Sequence, residues 1–325
     1  MSPVPAPEIS VVVASHDRPL RLRWLLNALE DQTLSPERWE VIVGHDSSGP
    51  ETEELLTTHP LALDGTLRHV AQPPGSAPPG ANRNAAWRTA RAPLIAFTDD
   101  DCSPPEDWLE NLLAVAQRNP GSIVQGATRK DPRELNIEHA VHYHSQQISP
   151  PTPWSECCNI AYPREILEQL GGFLEDTYTG EDTELALRAQ KLGVQKVAAP
   201  NALTYHAVTE TTLTRRLRSL WRWQDFPLLV KRHPEIREAF PMWVFWKRTH
   251  ALLPAFLGGT YMGQRRGLAW TLMCVPWLAH ILPAHGTDPR GRYRNLLELP
   301  SLFAVNVTEF LVLLIGSIRH RSFLL

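Results

Sequence analysis

The stretch LIAFTDDDC, residues 94–102, joins a short apolar run to three consecutive aspartates. The run at 94–97 predicts a fully buried β-strand. Working outward, residues 82–90 predict a helix, apolar runs at 9–14 and 39–43 predict two earlier strands, and residues 66–71 are a short candidate for a third. This alternation of strands and helices predicts an α/β fold with a mainly parallel, doubly wound sheet that is flanked by helices.

Polar residues follow several of the predicted strands. Ser15, Asp46 and the aspartates at 99–101 come at or just after the ends of apolar runs. In doubly wound sheets, ligands bind beyond the carboxyl ends of the strands. We therefore expect one site that is assembled from separate loops at this edge of the sheet.

The three aspartates indicate a bound cation. Adjacent carboxylates repel one another unless positive charge compensates, and Mg²⁺ or Mn²⁺ takes oxygen ligands while it shares its coordination with substrate phosphates. A solvated acidic turn that caps the next helix is the alternative. A second acidic pair, Glu181 and Asp182, opens a predicted helix and by itself suits a cap. His206 follows a predicted strand at 201–205, where a packed histidine is the alternative to a ligand.

The distribution of charge divides the chain into two parts. Residues 1–210 carry 16 Lys and Arg against 29 Asp and Glu, whereas residues 211–325 carry 16 against 6. The acidic part suits a divalent cation. The basic part, which holds six of the eleven tryptophans, suits phosphate groups or an anionic membrane surface, with solvated surface charge as the alternative for both. We predict a catalytic domain at 1–210 and a helical, basic and aromatic region at 211–325.

The C-terminal region contains apolar stretches at 268–284 and 299–318. Pro276 interrupts the first, and Asn306 and Glu309 lie in the second, so neither is predicted to be a clean span of about 20 apolar residues. Helices that lie on a membrane are favoured, with packed core helices and a spanning hairpin as alternatives. The N-terminal stretch MSPVPAPEIS shows no signal-peptide pattern, so we expect a cytoplasmic protein. If the protein contacts the cell membrane, we expect it at the inner face.

Six segments, in this order, resemble the family-2 glycosyltransferases of the GT-A fold over roughly residues 8–210. The segments are VVVASHDRP (11–19), EVIVGHDSS (40–48), ANRNAAW (81–87), FTDDDC (97–102), GGFLED (171–176) and GED (180–182). FTDDDC resembles the family's DxD element, and GED resembles its catalytic acidic pair. Two features depart from the family: His45 stands where many members have a first aspartate, and LRSLWRW (217–223) is not the QxxRW signature of processive synthases.

The resemblance implies a site for a nucleotide-sugar donor and a metal ion. The residues implied to contact the base, ribose, diphosphate or sugar of the donor are Ser15, His16, Asp17, Asp46, Arg83, Asp99, Asp100 and Asn159. The residues implied to ligate Mg²⁺ or Mn²⁺ are Asp101, Asp99 and His206.

The resemblance also implies a reaction. An inverting transfer is a single displacement, in which one carboxylate takes the proton of the acceptor hydroxyl while the bond from sugar to diphosphate breaks. Asp182 is the expected base, and Glu181 is expected to position the acceptor or Asp182. We expect a UDP-sugar as donor and a hydroxyl of a glycan or lipid-linked molecule as acceptor, in the synthesis of a cell-envelope polysaccharide or glycolipid.

Other functions fit part of the sequence. A nucleotidyltransferase acting on sugar phosphates would need a glycine-rich loop bearing Lys or Arg after the first strand, and ASHDRP (14–19) lacks that loop. A non-catalytic membrane-tethered scaffold would not need Asp99, Asp101 and Asp182 together. Nucleic-acid binding is not expected, because the arginines of the C-terminal region are dispersed and match no reader motif.

Overall fold

The chain forms two compact units, residues 1–210 and 211–325. A computed structural model describes residues 6–75, 77–286 and 289–325. The first five residues of the N-terminal stretch and position 76 lie outside the described residues.

The first unit contains strands and short helices. Its strands are β1 (Ile9–Ser15), β2 (Trp39–His45), β3 (Leu67–Ala71), β4 (Leu94–Asp99), β5 (Cys102–Ser103), β6 (Ile123–Lys130), β7 (Tyr143–His144), β8 (Ile160–Pro163), β9 (Lys196–His206) and β10 (Thr209–Glu210). Its α-helices are α1 (Pro19–Glu30), α2 (Pro50–Thr58), α3 (Pro60–Leu63), α4 (Pro79–Trp87), α5 (Trp108–Arg118), α6 (Arg164–Leu170) and α7 (Glu181–Lys191). Short 3₁₀ helices lie at Pro36–Arg38 and Pro132–His139.

The main sheet has the strand order β3–β2–β1–β4–β8–β6–β9–β5. Strand β1 is parallel to β2 and β4, and β2 is parallel to β3, so these four strands end at the same edge. Strand β8 runs antiparallel to β4 and β6, and β6 is parallel to β9. The predicted mainly parallel α/β sheet is confirmed.

Helices cover both faces of this sheet. Val11 and Val13 of β1 belong to a buried cluster with leucines of α1, α2 and α5. Val12 belongs to a second cluster, which contains Ala86 and Trp87 of α4. Strands that are buried on both faces need apolar residues at every position, which is why they appear in the sequence as continuous apolar runs.

The helix predicted at 82–90 is shifted toward the N-terminus. Helix α4 begins at Pro79, because proline is favourable in the first turn of a helix, where its missing N–H is not needed. Gly44 of β2 lies beneath this helix, and a Cβ there would be 2.1 Å from the carbonyl oxygen of Asn82. Glycine at position 44 therefore allows α4 to approach the sheet closely and to place Asn82 and Arg83 at its edge.

The described residues of the second unit form helices joined by short connections. Its α-helices are α8 (Leu213–Ser219), α9 (Phe226–Arg232), α10 (Arg248–Arg266), α11 (Val275–Ile281) and α12 (Pro289–His320). Its 3₁₀ helices are Leu220–Asp225, Pro234–Ala239, Pro241–Trp243, Leu268–Cys274 and Leu282–His285.

Helix α12 differs from the sequence-based expectation. Its segment Gly291–His320 is long and apolar enough to cross a membrane, with a mean hydropathy of 1.9 and 33% of the apolar window buried within the structure. Asn306 and Glu309 do not interrupt it, because the amide of Asn306 pairs with Trp277 and the Glu309 carboxylate accepts from Lys247. A core helix of a soluble protein has the same length and composition, so contact with a membrane stays a prediction.

Candidate active site

The aspartate triplet lies at the carboxyl end of β4, in the middle of the main sheet. Asp99 is the last residue of this strand, and the next two aspartates turn the chain into β5. Because β5 pairs with β9, Cys102 lies opposite His206. Oδ1 of Asp101 is thereby 3.5 Å from Nε2 of His206. The candidate ligand atoms of Asp99, Asp101 and His206 all lie within 4.8 Å of one another.

His206 presents a nitrogen that suits a metal ion. Its Nδ1 lies 3.0 Å from the carbonyl oxygen of Ala207. Since a carbonyl only accepts hydrogen bonds, Nδ1 carries the proton of the neutral ring, and Nε2 keeps the lone pair that faces Asp101. Two carboxylates and one oriented imidazole fit a divalent cation, so the residues predicted to bind Mg²⁺ or Mn²⁺ have the required chemistry.

Asp100 points away from this cluster. Its Oδ2 accepts a hydrogen bond of 2.8 Å from Oγ of Ser15, and both residues are buried. Burial raises the pKa of Asp100 to about 7, and the charge of Asp101 adds to the effect. Direct donor contacts were expected for Ser15 and Asp100. In the structure they pair with each other, and this pair joins the end of β1 to the turn after β4, while their contacts with the donor stay a prediction.

Arg18 supplies the positive charge beside the triplet. Its Nη1 lies 2.9 Å from Oδ2 of Asp101 and 3.3 Å from Oδ1 of Asp100. The Arg18 side chain is 55% exposed, so it has room to move. This residue was not predicted from the sequence, although an arginine three residues after the end of the first strand, in ASHDRP, was a usable signal.

Asp46 organises the turn after β2. Its Oδ1 lies 3.1 Å from Nδ1 of His16 and accepts a hydrogen bond of 2.9 Å from Nδ2 of Asn82, and its Oδ2 accepts from the backbone of Ala77. Oδ1 of Asp17 accepts a hydrogen bond of 2.7 Å from the backbone of Ser48, which ties the turns after β1 and β2 together. Asp46 is buried, whereas His16 and Asp17 are exposed at the open side of the two turns.

Arg83 joins the two acidic segments. Its Nη2 donates a hydrogen bond of 3.0 Å to Asp99, and its Nη1 donates one of 2.8 Å to Glu181. Arg83 was expected to approach the donor directly, but it is buried and its guanidinium group holds two carboxylates. Residues 99 and 181, which are far apart in the sequence, therefore lie on either side of one side chain.

Asp182 has an environment that favours its neutral form. Burial and the adjacent charge of Glu181 together raise the pKa of its carboxyl group to about 7, against the opposing charge of Arg83. The backbone N–H of Thr183 donates to Oδ1 of Asp182 at 2.7 Å. An acid with a pKa near neutrality is suited to exchange protons at working pH.

Asn84 holds the loop that leads to this acidic pair. Its Nδ2 donates to the carbonyl oxygen of Phe173 and to Glu175, and its Oδ1 accepts from the backbone N–H of Phe173 and from Trp87. All four contacts are 2.7–2.9 Å long. Helix α4 thus anchors the segment GGFLED, a function of Asn84 that the sequence analysis did not identify.

Asn159 pairs with other groups of the protein. Its Oδ1 accepts a hydrogen bond of 2.9 Å from Nε1 of Trp108, and its Nδ2 donates to the carbonyl oxygens of Ala127 and Ala202. The residue is fully buried. Its amide is satisfied within the protein at the point where β6 and β9 shift register, and its predicted contact with the donor sugar stays a prediction.

Two family models match the chain. Residues 10–171 match the model described as Glycosyl transferase family 2, and residues 94–283 match that described as Glycosyl transferase family group 2. Validoxylamine A glucosyltransferase of Streptomyces hygroscopicus subsp. limoneus is 25% identical over 279 residues, which cover 75% of this chain and 60% of that protein. The chain thus spans less than two thirds of the length of this relative.

Two solved structures share the fold. The mannosyltransferase PcManGT from Pyrobaculum calidifontis, in complex with GDP-Man and Mn²⁺, has a TM-score of 0.58 at 19% identity and covers 98% of this chain and 88% of its own. TarS 1-349 of S. aureus, in complex with UDP-GlcNAc, has a TM-score of 0.53 at 15% identity and covers 97% of this chain and 92% of its own. The likeness establishes the GT-A type of fold that was predicted.

Proposed function

The chain belongs to the family 2 glycosyltransferases, and from this premise we propose that it transfers a sugar from a nucleotide-diphosphate donor to an acceptor hydroxyl with inversion. The observation that carries the proposal is the bridge from Asp99 through Arg83 to Glu181. Because of this bridge, a carboxylate cluster suited to a cation and a carboxyl group suited to proton transfer lie at one edge of the sheet.

The proposed cofactor is Mg²⁺ or Mn²⁺. Asp99, Asp101 and His206 would hold it, and when bound it stabilises the negative charge of the departing diphosphate. The Mn²⁺ in the complex of the mannosyltransferase from Pyrobaculum calidifontis supports this choice. Arg18, whose side chain is exposed, would exchange its contact with Asp101 for one with the diphosphate, since guanidinium groups bind phosphate oxygens well.

The proposed donor is a UDP-sugar. His16 and Asp17 line the open side of the turns after β1 and β2, where the base and ribose would lie, and the buried Asp46 fixes the shape of both turns. The UDP-GlcNAc bound by TarS supports a uridine nucleotide, whereas the GDP-Man bound by the mannosyltransferase makes guanosine the competing base.

The proposed base is Asp182. Asp182 is partly buried, and its pKa of about 7 lets its carboxylate accept a proton from a hydroxyl near neutral pH. Arg83 holds Glu181 at 2.8 Å, so Glu181 would position Asp182 rather than transfer the proton itself.

The proposed acceptor is a hydroxyl group of a lipid-linked or membrane-proximal glycan. The second unit is basic overall and exposes large apolar side chains, among them Trp243 at 64% and Leu268 at 82%. Basic and aromatic residues together favour the surface of an anionic membrane. This contact would place the enzyme at the cytoplasmic face of the membrane, in the synthesis of a cell-envelope polysaccharide or glycolipid.

A panel of nucleotide sugars tests the proposal. Slow hydrolysis of each donor is measured with Mn²⁺, with Mg²⁺ and with a chelator. We expect one donor, a UDP-sugar, to be hydrolysed in the presence of a divalent ion and to be spared after chelation. Preference for a GDP-sugar would correct the donor alone, whereas no metal-dependent hydrolysis of any donor would reject the transferase proposal.

A further inference from the structure

A second cluster of metal-ligating side chains lies between β2, β3 and α2. It consists of His45, the last residue of β2, His69 of β3 and Glu53 in the first turn of α2. His69 lies opposite Val43 in the parallel register, and His45 is two residues farther along β2. Since side chains alternate between the faces of a sheet, both imidazoles point to the face that α2 covers.

The imidazoles of His45 and His69 both approach the carboxylate of Glu53. Its Oε2 lies 3.2 Å from Nε2 of His45, and its Oε1 lies 2.9 Å from Nε2 of His69. One candidate ligand atom from each residue lies within 4.8 Å of the others. The ring centroids of the two histidines are 5.8 Å apart and the rings are tilted by 49°, so the imidazoles are not stacked face to face.

His45 has unsatisfied ring nitrogens. Its side chain is only 6% exposed, yet neither Nδ1 nor Nε2 has a hydrogen-bond partner among the described residues. The polar contact that Nε2 does make is its approach of 3.2 Å to Oε2 of Glu53. Buried polar atoms are almost always paired, so a buried imidazole whose Nε2 is held only by an exposed carboxylate beside a second imidazole indicates a ligand that the three side chains share.

We propose that His45, Glu53 and His69 bind a divalent transition-metal ion, for which Zn²⁺ is the best match. Two imidazoles and one carboxylate are a donor set that zinc accepts, with water as the fourth ligand. Bond lengths of about 2.0–2.1 Å place tetrahedral ligand atoms about 3.3 Å apart. The ligand atoms must move to reach this spacing. The side chain of Glu53 can make that movement, because it is 51% exposed and lies at the start of a helix.

The site differs in chemistry from the cluster of Asp99, Asp101 and His206. Two nitrogen ligands favour zinc over Mg²⁺ and Mn²⁺, which prefer oxygen. The ion would join two strands to α2 directly before Asp46, whose backbone oxygen accepts a hydrogen bond from Gly75. It would therefore stabilise the first unit at the turn that precedes the donor site, without taking part in the transfer.

Zinc content and thermal stability of the full chain test this site. The Asp101→Asn variant serves as background, because it weakens the other cluster. After dialysis against buffered Zn²⁺, we expect this background to retain one Zn²⁺ per chain and to show a higher Tm with the ion. Addition of His69→Gln or Glu53→Gln should remove both effects, and addition of His139→Gln, at an exposed histidine, should remove neither.

Cobalt provides a readout of geometry. Co²⁺ in the Asp101→Asn background should give the visible absorption of a tetrahedral site, and His69→Gln should abolish it. The proposal is overturned if the background retains no Zn²⁺, or if His69→Gln and Glu53→Gln retain as much as their background does. Metal-dependent donor hydrolysis by the unaltered chain is a separate measurement, so either proposal can fail alone.

Discussion

Asp182 makes the stability of the fold depend on pH. Its pKa is about 7 in the folded protein and 3.8 as the ordinary value. A carboxyl group that holds its proton more tightly when folded stabilises the fold at low pH, and this contribution is lost as pH rises from about 4 to about 7. At pH 8 the ionised carboxylate of Asp182 therefore lowers the free energy of unfolding of the protein.

Asp182→Asn should remove this loss of stability, because asparagine does not ionise. We expect the variant to be more stable than the parent by at least about 1 kcal/mol at pH 8 and equally stable near pH 4, as measured by urea unfolding. We also expect its transfer rate to fall by about 10²–10⁴-fold, since the base is lost. Asp176→Asn, at an exposed carboxyl group, is the control and should change neither quantity. A stability gain that is the same at pH 4 and pH 8 would contradict the assignment.

Arg18 should compete with the metal ion. Its guanidinium group lies 2.9 Å from Asp101, a proposed ligand. Arg18→Gln should therefore lower the Mn²⁺ concentration needed for half-maximal donor hydrolysis several-fold, while Arg23→Gln, on the exposed side of α1, should leave it unchanged. A higher Mn²⁺ requirement in Arg18→Gln would show that the arginine supports the ion instead.

At single positions, the sequence showed residue types but not their partners. The aspartate triplet and the Glu181-Asp182 pair could be chosen because charged residues after apolar runs are unusual. Nothing local to Asn159 distinguishes an amide that contacts a ligand from one that satisfies buried backbone groups. Arg83 was selected, but its position between Asp99 and Glu181 depends on contacts between distant parts of the chain.

Among the elements, α4 has the strongest influence on the site. It carries Asn82 to Asp46 and Arg83 to Asp99, and it can do so only because Gly44 leaves room beneath it. Strands buried on both faces were predicted well, since their apolar runs are continuous. The start of α4 was missed, because a proline that begins a helix resembles a proline in a loop.

Gly44→Ala should disturb this contact. The added Cβ would meet the Asn82 carbonyl oxygen at 2.1 Å, so α4 must move. We expect a loss of about 1–3 kcal/mol in the free energy of unfolding, together with weaker UDP binding. In Gly258→Ala, the control in the second unit, the nearest heavy atom would be 3.9 Å away, and no loss of stability is expected. Unchanged stability and UDP affinity in Gly44→Ala would refute this account of α4.

For the whole molecule, the division of charge is the main long-range property. The first 210 residues are acidic and the remaining ones basic. The sequence shows this asymmetry directly, but it did not give the bounds of α12 or the partners of Asn306 and Glu309, because pairing with distant side chains cannot be inferred from their positions.

Vesicle flotation tests the membrane proposal. We expect the full chain to float with vesicles that contain anionic lipid at low salt, and to float less as salt screens its basic residues. Neutral vesicles provide the control. Absence of flotation with anionic vesicles would reject membrane contact while leaving the transferase proposal intact.

The central claim is that Asp99, Asp101 and His206 converge on one metal-assisted donor site. Calorimetric titration of UDP, with and without Mn²⁺, tests it most directly. We predict that Mn²⁺ strengthens UDP binding. Asp101→Asn and His206→Gln should each lower the Mn²⁺-dependent increase in UDP affinity by at least about tenfold, which corresponds to about 1.4 kcal/mol. His139→Gln should retain the full increase. Equal Mn²⁺-dependent binding in His206→Gln, Asp101→Asn and the parent chain would contradict it.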